Sequence, residues 1–168
     1  MALKQYINSI LEKESLTDAD IKKHVKNIRL YDELAHCRSI KSSLGREEAC
    51  IILIPTNGTF DGHWSLLFRN GKGMLEYFDS YGKVPDHWIF KKKTATHPYP
   101  YLTELILASK EKCVYNHHAF QQSGSSIATC GRWCLLRYKF RNMTLDNFIR
   151  CFGKKITLTP DEICCLLV

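Results

Sequence analysis

Between Cys50 and Gly82 three apolar runs are joined by links too short to hold a helix. Cys50-Ile51-Ile52-Leu53-Ile54-Pro55 is followed by the turn-rich Thr56 to Gly62, and His63 to Arg69 comes next. Asn70-Gly71-Lys72-Gly73 leads into Met74 to Phe78, and Asp79-Ser80-Tyr81-Gly82 closes the block. Short apolar runs bounded by turn residues read as strands, and a link opening with Asn-Gly reads as a hairpin turn. Parallel neighbours would need crossovers of about a dozen residues or more, which these links do not supply. A central, mostly antiparallel sheet follows.

The flanks read differently. Residues 1–45 look helical, with Thr17-Asp18-Ala19-Asp20 as a cap and Ile21, Val25 and Ile28 at helical spacing; Gly45 ends that part. Lys83 to Pro100 is irregular and rich in proline and lysine. Tyr101 to Lys110 reads as a helix, Lys112 to Tyr115 as a short strand and Gln121 to Thr129 as a loop. Cys130 to Arg141 reads as a helix, Thr144 caps another through Phe152, and Thr159-Pro160-Asp161-Glu162 starts a last one. Helices, then strands, then helices point to an α+β class with flanking helices. The 168 residues make one domain, with a helical part at 1–45, a core at 50–140 and C-terminal helices at 144–168.

Composition narrows the function. No apolar run approaches the ~18 residues of a membrane span, so no membrane role is expected. The N-terminus shows no signal-peptide pattern, and an intracellular, reducing setting is expected, not a secreted one. There the eight cysteines read as buried small hydrophobes, metal ligands or a nucleophile, not as a disulfide framework. None forms a C-x-x-C pair, so no metal and no cofactor is expected. The net charge of +7 includes Lys91 to Lys93 and Lys154-Lys155, which could serve DNA contact or be a solvated surface. The final Cys165-Leu166-Leu167-Val168 has the outline of a prenylation tail but reads better as the apolar side of a helix.

One cysteine stands apart. Cys130 ends a small, polar loop and begins a helix, where the helix dipole favours a thiolate. Its own N–H would be one of the unbonded first-turn amides, able to donate to an oxyanion. Gly131 beside it would leave space for a substrate. A thiol nucleophile needs a histidine to move its proton and a third group to orient that histidine. His63 and Asp79 lie 16 residues apart with the Asn70–Gly73 turn near their midpoint, so they fall at the same end of the hairpin. His117 and His118 are rival bases with no carboxylate so placed.

Ile54-Pro55-Thr56-Asn57, Gly62-His63-Trp64, Tyr77-Phe78-Asp79-Ser80-Tyr81-Gly82 and a glutamine-bearing loop ending in Cys130-Gly131, in that order, resemble the adenovirus-protease and ubiquitin-like-protein-specific protease superfamily. The resemblance implies a papain-like cysteine peptidase. It implies His63 as general base, Asp79 as its orienter, Cys130 as nucleophile and a glutamine as second oxyanion donor. Gln122 is the expected glutamine, with Gln121 as alternate; both sit further before the cysteine than the superfamily pattern has them. Trp64 would lie beside the substrate channel. The implied partner is a protein substrate, either a viral structural precursor or a ubiquitin-like modifier cleaved after Gly-Gly, with DNA or an activating peptide as further partners of a monomer. A non-catalytic nucleic-acid-binding module is the remaining alternative.

Overall fold

The computed structural model of the chain describes residues 5–7, 9, 16–55, 62–91, 98–123, 128–153 and 157–168. Thr17 opens helix α1 (Asp18–Lys22) with a reciprocal capping box to Asp20. The expected helical continuation through Ile28 does not occur. Instead Ile28–Leu30 forms strand β1, parallel to the next strand, with Ile28 opposite Ile51. The turn between is held by side chains competing with helical bonds. Glu47 accepts from the Lys26 N–H at 2.8 Å, and the Asn27 amide donates to the carbonyls of Ser43 and Ala49 at 2.7 and 2.8 Å.

A 3₁₀ turn (Tyr31–His36) and helix α2 (Ile40–Leu44) lead to β2 (Ala49–Pro55), β3 (Gly62–Arg69) and β4 (Leu75–Asp79). In the β3–β4 turn Asn70 Oδ1 accepts from the N–H groups of Lys72 and Met74, while Gly73 takes a left-handed φ of 73°. Helix α3 (His87–Lys91) falls in the stretch expected to be irregular. Then come α4 (Tyr101–Ser109), β5 (Cys113–Tyr115), α5 (Cys130–Lys139), α6 (Leu145–Phe152) and α7 (Pro160–Leu167). The runs Thr56-Asn57, Lys92-Lys93 and Lys154-Lys155 lie outside the described residues.

The sheet has five strands in sequence order, with two inner antiparallel pairs and two outer parallel pairs. The antiparallel expectation therefore holds for β2, β3 and β4, and the parallel edges come from strands reached through the flanking segments. The class is α+β, in keeping with a papain-like architecture. Both sheet faces are buried. Ile51, Leu66 and Phe78 face a layer with Trp133, Leu136 and Phe148, while Ile52, Leu67 and Tyr77 face one with Tyr31, Leu44 and Leu102. Two covered faces explain why β2 is an unbroken apolar run and not an alternating one.

Helix α5 is fastened to β4 by a fully buried ion pair. Arg137 donates to both Glu76 carboxylate oxygens, at 2.8 and 3.0 Å, and to the Phe140 and Met143 carbonyls. Phe68 and Phe148 close over the guanidinium at 5.3 and 5.0 Å. Removing one member of such a pair strands the other charge in the interior, at a cost of about 3–5 kcal/mol. Urea unfolding of Arg137→Met should show a loss of that size. The double variant Arg137→Met/Glu76→Leu, which removes both charges, should recover part of it.

Candidate active site

His63 is the second residue of β3 and Asp79 the last of β4. Ser65 pairs directly with Asp79. His63, two residues from Ser65 on the same face, is therefore a diagonal cross-strand neighbour of Asp79, a span a ring can bridge. His63 Nε2 lies 2.7 Å from Asp79 Oδ2. A carboxylate accepts, so Nε2 carries the proton on that side and Nδ1 is left for another partner. Cys130, the first residue of α5, has its side chain close enough to act on the same ring. His63 is thus bracketed by Asp79 and Cys130.

The Asp79 carboxyl is completely buried and fixed from several directions. Oδ2 also accepts from the Trp88 indole N–H at 2.7 Å, and Oδ1 accepts from the Tyr81 N–H at 2.8 Å. Asn116 holds the backbone of the same residue, accepting from its N–H at 3.0 Å and donating to its carbonyl at 2.7 Å. The rings of Trp88 and Tyr81 cover His63 at centroid distances of 4.9 and 5.4 Å. Trp88 and Asn116 carry no mark in the sequence, and Tyr81 stands there only as part of the Tyr77–Gly82 motif. Trp88 lies in α3, inside a stretch without apolar periodicity; the Asp79-Ser80-Tyr81-Gly82 turn, with Gly82 donating to the Asp79 carbonyl, is the one signal that could have flagged Tyr81.

Burial alone would disfavour a charged His63 ring. Hydrogen bonds to Asp79 and Cys130, and their charges, outweigh it and raise the pKa from the ordinary 6.5 to about 9. Other thiols are pushed away from reactivity. Burial raises Cys50 to about 12 and Cys113 to about 11, and drives Cys134, Cys164 and Cys165 upward.

The two glutamines differ. Gln122 is exposed, and its backbone N–H donates to Asp161 at 2.8 Å. Gln121 is buried: its N–H donates to the Ser80 carbonyl at 3.0 Å and its Oε1 accepts from the Ser80 hydroxyl at 2.8 Å. It is Gln121, the alternate, whose side chain is anchored next to Asp79. Gly131 does not front open space. A Cβ there would stand 3.3 Å from Ile21 and Trp64 and 3.4 Å from Leu16, so the glycine permits close seating of α5 on β3. Trp64 is itself buried in that layer, where its carbonyl accepts from the Cys134 thiol at 3.5 Å. Trp64 and Gly131, expected beside the substrate channel, are both buried in this packing. His117 and His118 are exposed and meet Tyr115 and Phe120 edge to face. Among the described residues no cluster of three or more His, Cys, Asp or Glu could hold a metal, and no helix is long and apolar enough to cross a membrane.

Two outcomes are expected. A folded-state pKa raised from 6.5 to about 9 makes the charged His63 a source of stability that is complete below 6.5 and lost as pH rises through about 9. The unfolding midpoint of the wild type should fall across that window relative to His63→Gln. Trp88→Phe keeps the ring stack and deletes a hydrogen bond to a buried carboxylate, so denaturant titration should show a loss of about 1.5–3 kcal/mol.

The chain is 33% identical over 165 residues to the uncharacterized protein V9 of Sputnik virophage, spanning 90% of this chain and 93% of that protein. Among solved structures it is similar to the ASFV pS273R protease, at 17% identity and a TM-score of 0.45, covering 83% of this chain and 56% of that one. It is also similar to ChlaDub1 of Chlamydia trachomatis, at 17% identity and a TM-score of 0.41, covering 98% of this chain and 75% of that one. The chain thus spans little more than half the length of the ASFV protein. No protein-family model matches it.

Proposed function

We propose that this chain, which belongs to the family of the Sputnik virophage protein V9, is a cysteine peptidase. The observation that carries the reading is the His63 ring held between a fully buried Asp79 carboxylate and the thiol of Cys130 at a helix start. That is the set of contacts a thiol nucleophile, its base and an orienting group require.

In this mechanism the Cys130 thiolate attacks a peptide carbonyl carbon and a C–S bond forms. The displaced electron pair rests on the oxygen, which accepts from the Cys130 N–H and the Gln121 side-chain amide. The His63 imidazolium gives its Nδ1 proton to the leaving amine as the C–N bond breaks. His63 then takes a proton from water, which attacks the thioester and releases the acid, and the thiolate–imidazolium pair is restored. Asp79 holds the ring through Nε2 in every step. Fixed by Trp88, Tyr81 and Asn116, it costs little reorganisation during the reaction.

The substrate class we favour is a structural precursor protein of a virus particle, because the relative at 33% identity is a virophage protein. A proteome-derived peptide library incubated with the wild type should yield new termini. Cys130→Ala and His63→Ala should yield none, and Asp79→Ala should be slower by about 10²-fold or more. Undiminished cleavage by Cys130→Ala would overturn the proposal. If a ubiquitin C-terminal propargylamide is captured at Cys130 while the library stays uncut, the substrate class is a ubiquitin-like modifier. With the fluorogenic form of a cleaved peptide, Gln121→Ala should lower kcat by about 10²–10³, while Gln122→Ala should stay near wild type. The ratio kcat/KM should fall as pH rises through about 9, where His63 loses the proton the leaving group needs.

A further inference from the structure

Helix α7 lies at the C-terminal end of the chain, far in sequence from every residue of the proposed mechanism. Its second residue, Asp161, is nonetheless buried at 2% exposure beside the site. Three donors converge on its carboxylate. Oδ1 accepts from the Thr129 hydroxyl at 2.5 Å and from the Trp133 indole at 2.8 Å, and Oδ2 accepts from the Gln122 N–H at 2.8 Å. Gln122 directly follows Gln121, and Thr129 directly precedes Cys130. One carboxylate therefore ties together the neighbours of both oxyanion donors.

The Thr129 contact has a second effect. Thr17, Thr144 and Thr159 each stand before a helix in extended backbone, and each side chain accepts from a first-turn N–H. Thr129 holds the same position before α5 but has φ −97° and ψ 1°, and its side chain makes no cap. Its hydroxyl is spent on Asp161 instead. The Thr129 side chain thus leaves the first-turn amides of α5 to other partners, and the positive helix end lies at Cys130.

We propose that Asp161 is a positioning residue of the oxyanion site, holding the Gln121 loop and the start of α5 in register and keeping Thr129 from capping α5. The proposal rests on the cysteine-peptidase reading. A capping box between Thr159 and Glu162 fixes the turn that carries Asp161, with Glu162 accepting from the Thr159 N–H at 2.6 Å. The carboxylate is thus presented by a rigid helix start and not by a loop.

The test uses the full chain, the fluorogenic peptide cleaved by the wild type, and iodoacetamide as a probe of Cys130 that needs no oxyanion donors. Asp161→Asn keeps the volume but puts an NH₂ where one acceptor oxygen stands. It should lower kcat by about 10²-fold, the scale of a small misplacement, with KM and the Cys130 alkylation rate close to wild type. An interaction made only in the transition state gives that split, whereas general loosening of the fold would lower alkylation by Cys130–His63 as well. Thr129→Val, which leaves the carboxylate in place and deletes one donor, should show the same split to a smaller degree and covers the case in which Asp161→Asn does not fold. If both folded variants retain wild-type kcat, or if kcat and alkylation fall together, the proposal is overturned and the peptidase reading stands. If the wild type cleaves nothing, the peptidase reading fails and this proposal with it.

Discussion

Strand β4 is five residues long and carries two buried carboxylates. Glu76 holds Arg137 of α5 and Asp79 holds His63 of β3. Along the strand three residues separate them, about 10 Å. Along α5, Cys130 lies seven residues before Arg137, two turns and about 10.5 Å. The two lengths are similar, so the ion pair holds α5 against β4 at a point two turns from Cys130. Glu76 and Asp79, an odd number of residues apart, point to opposite faces of the sheet; His63 shares the Asp79 face, and Cys130 starts a helix packed on the other. The Arg137–Glu76 pair and the close seating of Gly131 against Trp64 together fix the helix that carries the thiol.

Around that frame the polar groups at the site are held both by near neighbours in the chain and by partners from distant segments. Trp88 and Tyr81 secure the Asp79 carboxylate, Ser80 secures Gln121, and Asp161 secures Thr129 and the Gln122 amide. Buried acceptors with this many donors are costly to disturb and have little freedom to reorient. The arrangement suits a reaction in which charge appears on an oxygen and moves between a sulfur and a ring, because the dipoles are aligned before the substrate arrives.

The sheet centre and the helix starts were legible in the sequence because they follow local rules. The β2 to β4 block is written in apolar runs and the Asn70–Gly73 turn, and Thr17, Thr144 and Thr159 mark helix starts by capping chemistry. His63 and Asp79 could be placed together because a hairpin of known turn fixes which residues share an end. β1 was not legible. Ile21, Val25 and Ile28 have helical spacing, and only Asn27, Glu47 and pairing with Ile51 to Leu53 break it. Which of Gln121 and Gln122 is buried was equally hidden, since a loop has no period and the contact that anchors Gln121 comes from Ser80, about 40 residues upstream. Gly131 reads the same in sequence whether it admits a substrate or a tryptophan. Asp161 reads as an ordinary first-turn acid of a C-terminal helix until three donors are seen to meet on it.

Of the eight cysteines, Cys151 is exposed and Cys130 only partly so. Exposure alone would make Cys151 react first with a limiting amount of iodoacetamide at neutral pH. Peptide mass spectrometry of the labelled chain separates that order from the one set by His63. Labelling of Cys130 ahead of Cys151, with the lead abolished in His63→Ala, is the result expected if Cys130 is an activated nucleophile. Labelling of Cys151 first, with Cys130 indifferent to His63→Ala, would contradict it.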